Sequence, residues 1–206
     1  MHGQPVRGVI VARIERRQQI LNVALTVFAE KGYHATGVSD IIERAGIARG
    51  TFYLYYESKR ALFDALLERI FLDLLAEIRP ILVPDSPDSP SVETQVRGNA
   101  TRVVHRLMSD RDTVRVLMAE AEGLDGEAQG RLREFYGRLA QWLAESLDDG
   151  VRLGIVHQCN TLVAAHALIG SIRGVFWAWA MGLAEVDETI FVNELLGFLH
   201  GGLLVS

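Results

Sequence analysis

Residues 36–59 read TGVSDIIERAGIARGTFYLYYESK, and the reading of this stretch decides the fold. Two short helical patterns, residues 38–45 and 49–55, flank Gly46-Ile47-Ala48. Glycine takes positive φ without steric cost, so Gly46 can end the first helix abruptly and let the second leave at a steep angle. Ile41, Ala45, Ile47 and Phe52 are spaced to form a small shared core. This is the helix-turn-helix pattern, whose second helix enters a DNA major groove. An ordinary αα-hairpin has the same outline. The side chains separate the two: the second segment carries Arg49, Thr51, Tyr53, Tyr55 and Tyr56, with Lys59 just beyond. Cations and hydroxyls at helical spacing are what phosphate and base-edge contacts require.

Outward from this core, the pattern continues from Arg17 to Phe63. It includes Phe28-Ala-Glu-Lys-Gly-Tyr33, Thr36, Ala45-Gly46-Ile47, Gly50-Thr51-Phe52-Tyr53, Tyr56 and Ser58-Lys59-Arg-Ala-Leu62. So many residues at fixed spacing resemble the N-terminal domain of TetR-family transcriptional regulators, over less than a third of the chain. The resemblance implies an all-α fold. A three-helix DNA-binding head, residues 1–57, would precede a helical ligand-binding and dimerisation body, residues 58–206. It also implies a repressor that binds a double-stranded DNA operator as a homodimer. Carried over to this sequence, Arg49 and Thr51 reach base edges, while Thr36, Tyr53, Tyr55 and Lys59 reach phosphate, with Gly50 between them. The chain departs from the family in three places. Where two hydroxyl residues commonly open the first motif helix, Gly37 follows Thr36; Gly37 is an acceptable N-cap, and Ser39 is the substitute phosphate contact. Tyr56 stands where phenylalanine is usual, so its ring should pack inward and its hydroxyl needs a partner. Leu54 stands where a polar residue is frequent, and either presses on a thymine methyl or covers the helix surface.

Charge is distributed to match. The chain carries −5 overall, but residues 1–60 hold 9 basic and 5 acidic side chains, net +4, and the remainder holds 12 and 21, net −9. A basic end can approach phosphate while an acidic body stays away from it. The 49% hydrophobic share supports a substantial core. The single cysteine, Cys159, excludes an internal disulfide framework and suits a reducing compartment. The N-terminus lacks a basic start followed by a long apolar run, so the expectation is a cytoplasmic chain.

Residues 1–12, with Gly3, Pro5 and Gly8, read as a flexible arm, and a first helix is expected over residues 13–31 with Ile14, Leu21, Ala24, Leu25 and Phe28 on its apolar face. Gly32 fits the position after its C-cap, with Tyr33 folding back. Ser58 should cap a long helix carried by Leu62, Phe63, Leu66, Leu67, Ile70, Leu74 and Ile78 to Pro80. Residues 80–90 hold four of the five prolines and form the clearest loop. Beyond it only helices are expected: residues 91–109, 110–122, 125–152, 160–182 and 187–204.

The segment 161–184 is apolar almost all round. About 20 such residues can span a bilayer, but Arg173 near its centre and His166 oppose that, since a mid-bilayer arginine costs at least ~2.5 kcal/mol. No membrane partner is expected. Small residues at Ala164, Ala167, Gly170, Ser171, Gly174 and Ala178, with Gly197 and Gly201 on the last helix, look like half of a four-helix dimer interface.

His166, Gly170, Arg173 and Trp177 follow i, i+4, i+7, i+11, one stripe expected to face into its own subunit. There it would meet His105, Met108, Leu117, Met118, Tyr136, Leu139 and Trp142 in an apolar and aromatic ligand site. Arg173 would pair either with an internal carboxylate, Glu120 or Glu122, or with an anionic group on a hydrophobic inducer. No cofactor is expected. Alternative readings are a membrane-associated sensor, resting on the segment around Arg173, and a helical enzyme. The chain lacks GxSxG, HExxH and a phosphate-cradling glycine loop, so no catalytic residues are assigned. Glu120, Glu122 and Asp125 are read as solvated, and the histidines lack metal-ligand spacing.

Overall fold

A computed structural model describes residues 4–86, 88–118 and 126–202. The described residues form helices joined by loops: α1 (Gln4–Ala35), α2 (Val38–Ala45), α3 (Arg49–Tyr53), α4 (Lys59–Ala76), α5 (Val92–Met108), α6 (Arg111–Met118), α7 (Gly126–Arg152), α8 (Thr161–Ala180) and α9 (Glu188–Gly202). The fold is all-α, as the sequence pattern predicts. Glu120, Glu122 and Asp125 lie outside the described residues.

Most helix starts follow from a single polar residue. Ser58 Oγ accepts the Ala61 N–H at 3.1 Å, and Ser91 Oγ accepts that of Thr94 at 3.1 Å. Asp110, Asn160 and Asp187 accept from Thr113, Val163 and Ile190 at 3.1, 3.0 and 2.9 Å. Each such cap satisfies an orphan N–H of the first turn and contributes about 0.5–2 kcal/mol.

In the head, α1, α2 and α3 close over Ile20, Leu21, Ala24, Phe28, Ile41 and Phe52, all buried. Gly32 (φ 77°, ψ 161°) breaks the end of α1, and Tyr33 folds back against Phe28, ring centroids 5.6 Å apart. The α4 helix buries Leu62, Phe63, Leu66, Leu67, Ile70, Phe71 and Leu74. It packs on both α1 and α7 along its length, so one apolar core runs from head to body. Within the body α7 and α6 pack on α8, and α5 on α9; α6 also lies along α1.

Two expectations for the N-terminal region need correction. The described part of residues 1–12 is not a flexible arm: α1 already begins at Gln4. Pro5 sits in its first turn, where the missing N–H breaks no helical bond. Ile14 does not join the core; it is 59% exposed, because the head begins to cover α1 only at Ile20.

Candidate nucleic-acid interface and body cluster

The turn between α2 and α3 is built as its glycine predicts. Gly46 sits at φ 61°, ψ 38°. Its N–H reaches Glu43 O at 3.1 Å, and the Ile47 N–H reaches back to Ile42 O at 3.2 Å. These two bonds are the Schellman closure, which satisfies the last carbonyls of α2 and redirects the chain. Phe52 then turns inward with no exposed surface, which fixes the rotation of α3 and sends its other residues outward. Arg49, Gly50, Tyr53 and Leu54 are exposed, and Thr51 and Tyr55 half-buried. Tyr53 stands edge-on to Phe52, centroids 5.3 Å apart, with the Arg49 guanidinium 5.8 Å from its ring. Leu54, 74% exposed, contributes nothing to the core and adds apolar surface to this face. Tyr56 packs inward at 4% exposure, its hydroxyl donating to Arg17 O at 3.4 Å. Burial pushes its phenol above the ordinary tyrosine range.

The start of α2 is held differently. Gly37 is its N-cap (φ −89°, ψ 157°), and the Gly37 N–H donates to Asp40 Oδ2 at 2.6 Å. Lys31 donates to the other Asp40 oxygen at 2.9 Å. The Lys31 hydrogen bond first, and the Gly37 N–H second, hold the Asp40 carboxyl below its usual range. Arg44 clamps α2 to α1 through both oxygens of Glu30, at 2.8 and 2.9 Å. Ser39 stays exposed beside Gly37.

Two residues expected at phosphate are occupied inside the head. Thr36 is 1% exposed, and its hydroxyl donates to Gly32 O at 2.7 Å. That side chain is spent on the carbonyl left open by the break at Gly32, so the phosphate role expected of it is corrected to a structural one. Lys59 Nζ donates to Tyr33 O at 2.8 Å and Thr36 O at 3.0 Å and sits 4.2 Å from the Tyr33 ring centroid. An ammonium has three N–H donors, so one remains beyond these two bonds.

The body residues singled out from the sequence do not converge on one site. Leu117, Met118 and Tyr136 are buried, and Met108, Leu139, Trp142 and Arg173 half-buried. Tyr136 donates its hydroxyl to Leu117 O at 3.0 Å, and the Arg173 guanidinium lies 4.2 Å from the Tyr136 ring centroid. Leu117, Tyr136 and Arg173 thus form one contact chain across α6, α7 and α8. His105 lies elsewhere, exposed on α5 with Nδ1 3.1 Å from Glu188 Oε2 at the start of α9. His166, Gly170 and Trp177 are exposed, so of the stripe it is Arg173 that turns into its own subunit. The buried residues of α8 are Ala165, Ile169 and Phe176, each one position before a stripe residue. One position is about 100° of helix rotation. In a helix apolar all round, periodicity supplies little to orient it. Phe176, 1% exposed and edge-on to Phe191 at 5.4 Å, is the anchor that the sequence reading passed over.

Among the described residues, α8 and α9 leave several large apolar side chains exposed. Val163, Met181, Ile190 and Phe198 are 64%, 39%, 62% and 78% exposed. By length and composition Thr161–Ala180 is apolar enough to cross a membrane. In the structure it packs on α6 and α7.

A Schellman-closed helix-turn-helix with an exposed polar helix, mounted on an all-α body, defines a helix-turn-helix transcriptional regulator. Residues 20–66 match the model of the bacterial regulatory proteins of the tetR family. These residues carry the TetR-family DNA-binding domain. A fatty acid metabolism regulator protein of Bacillus subtilis strain 168 is 24% identical over 186 residues, which cover 90% of this chain and 94% of that protein. The solved structure of the fatty acid degradation regulator FadR of Bacillus halodurans superposes with a TM-score of 0.76 at 26% identity, over 91% of this chain and 95% of that one. FadR of Bacillus subtilis, solved in complex with stearoyl-CoA, shares the fold with a TM-score of 0.70 at 23% identity, over 88% and 96%.

Proposed function

We propose that the chain is a ligand-responsive repressor. It binds a palindromic operator as a homodimer and releases it when a hydrophobic inducer with an anionic group, of the fatty-acyl thioester class, enters the body. The observation that carries the DNA half is the exposed set Arg49, Gly50 and Tyr53, with half-buried Thr51 among them, on a helix whose rotation is fixed by Phe52. In this reading residues 1–57 are the DNA-binding unit and residues 58–206 the sensing and dimerisation unit. Arg49 and Thr51 read base edges; Ser39, Tyr53, Tyr55 and the third N–H of Lys59 hold phosphates. The exposed apolar face of α8 and α9 supports dimerisation, since two such helix pairs bury each other in a four-helix contact. Two heads would then stand about one DNA turn apart, ~34 Å.

The inducer class is supported by the relatives, two of which are named for fatty acid metabolism or degradation and one of which was solved with stearoyl-CoA. Arg173 and Tyr136, stacked at the α7–α8 contact, are the group on this chain suited to an anion beside an apolar body. Release is a population shift. To take the operator-bound state from dominant to rare, the inducer must bind the DNA-incompetent form on the order of 10⁴-fold better than the competent one. Because α6 lies against both α8 and α1, a shift at Leu117 has a direct route to the head.

The test is selection of binding sites from random duplexes, followed by challenge of the selected complex with stearoyl-CoA. A palindrome should be enriched and the complex should dissociate. Arg173→Ala should bind the same palindrome and resist release. Absence of enrichment sinks the DNA assignment. Release of the Arg173→Ala complex at wild-type ligand concentration sinks the role given to Arg173.

A further inference from the structure

The first turns of α1 stand clear of the head. All of residues 9–19 are exposed, with Val9, Ile10, Val11 and Ile14 between 47% and 69%. These turns extend the packed part of α1, so their side chains are held in helical register while open to solvent. Ile10, Arg13, Ile14 and Arg17 recur at i, i+3, i+4, i+7 and form a single face. Together with Leu54 and Tyr55, which directly follow α3, they line an open groove of about 350 Å³. The face therefore adjoins the trailing end of the recognition helix. Arg17 is anchored there, its guanidinium 5.5 Å from the centroid of the buried Tyr56 ring. The stretch 9–19 carries Arg13, Arg16 and Arg17 against Glu15 alone. A groove with two arginines and a tyrosine, beside the element that approaches DNA, complements the phosphate backbone.

Resting on the DNA-binding reading above, we propose that the start of α1 is a second DNA-contacting element. It lies along the operator outside each half-site, with Arg13 and Arg17 at phosphates and Ile10 and Ile14 against the sugar edge between them. Residues 9–17 span about 12 Å of helix, the length of roughly three to four base pairs. The contact is independent of sequence, because phosphates carry no base information. It enlarges the footprint without changing the motif that is read.

The experiment compares a duplex ending at the selected palindrome with one carrying about four further base pairs on each side, for the full-length chain. Anisotropy titrations over a salt series give affinity and slope. Four added phosphate contacts per dimer, at about 0.9 each, should steepen the slope of log K against log salt by roughly three to four on the longer duplex. Arg13→Ala should remove about half of that increment and leave binding to the short duplex unchanged. Arg13→Lys should keep the increment, since it keeps the charge. Arg13 is exposed, so neither substitution threatens the fold. The proposal is overturned if the flanks add nothing for the wild type. It is equally overturned if Arg13→Ala keeps the whole increment, or if the segment is needed only for binding anionic vesicles. Arg49→Ala separates the two layers: it should weaken both duplexes alike, and failure of the wild type to bind either one overturns the underlying reading together with this proposal.

Discussion

In the head, Phe52 and Ile41 are fully buried, while α3 turns Arg49, Gly50 and Tyr53 outward. In the body, Phe176 and Leu196 are as deeply buried, yet the same two helices leave Val163, Ile190 and Phe198 largely exposed. Both regions are helices on an apolar core, but their outer faces ask for different solvents. A polar, cationic face is stable in water and gains by exchanging counterions with phosphate. A broad apolar face with glycines at close-approach positions gains by meeting another apolar face. The head buries its own apolar side chains within one chain, whereas the body leaves an apolar face open, which the proposed dimer would cover.

Substitutions can break this contrast. The largest effect is expected for Phe52→Ala, which deletes a side chain with no exposed surface at the junction of α1, α2 and α3. Loss of a buried aromatic costs about 3–5 kcal/mol, so a thermal melt should show the head unfolding first, with operator binding lost. A single transition at the wild-type temperature contradicts the anchoring role. In the body, Gly174→Leu should leave the chain folded. An added Cβ meets nothing within 4 Å in the chain, and leucine favours helix over glycine. Across a dimer seam the same side chain overpacks. Sedimentation should show monomers with unchanged helical circular dichroism; a persistent dimer would move the seam elsewhere.

Gly50→Ala sharpens the comparison from the head side. Here too an added Cβ meets nothing within 4 Å, so the free chain should keep its stability or gain several tenths of a kcal/mol from helix propensity. Operator affinity should still fall, because a methyl now stands between α3 and the duplex. Equal affinity would mean that DNA does not approach at Gly50. The smallest effect concerns pH. The Asp40 carboxyl titrates below its ordinary value because Lys31 and the Gly37 N–H favour its charged form. Its support of α2 is therefore present above the unfolded-state value, near 3.8, and is lost as pH falls through the lower folded value. Amide exchange at Gly37 should accelerate through that window, while the amides of the α4 core stay protected. Unchanged protection at Gly37 down to pH 2 would remove Asp40 from this account.

The head was the more legible region, for local reasons. Gly46 is placed by positive φ, and Ser58 announces the start of the next helix by side-chain chemistry. Such signals need no knowledge of the rest of the fold. Thr36 and Lys59 escaped the sequence reading because their partners, the carbonyls of Gly32, Tyr33 and Thr36, are freed by a chain break that only the packed head produces. The body failed where rotation mattered. With apolar residues on every side of α8, no periodicity distinguishes Ile169 and Phe176 from Gly170 and Trp177, and a one-residue error turns a stripe from core to surface. The start of α1 was misread because Gly3, Pro5 and Gly8 suggest a loop, whereas a proline in a first turn is compatible with helix.

Operator recognition as proposed requires one chain type to read two half-sites at once. Sedimentation of the full chain with the selected duplex, and with a duplex in which one half-site is scrambled, measures this directly. The expected result is an even number of chains on the intact palindrome, starting at two, and a steep loss of affinity on the scrambled one. A single chain bound with equal affinity to both duplexes would contradict it.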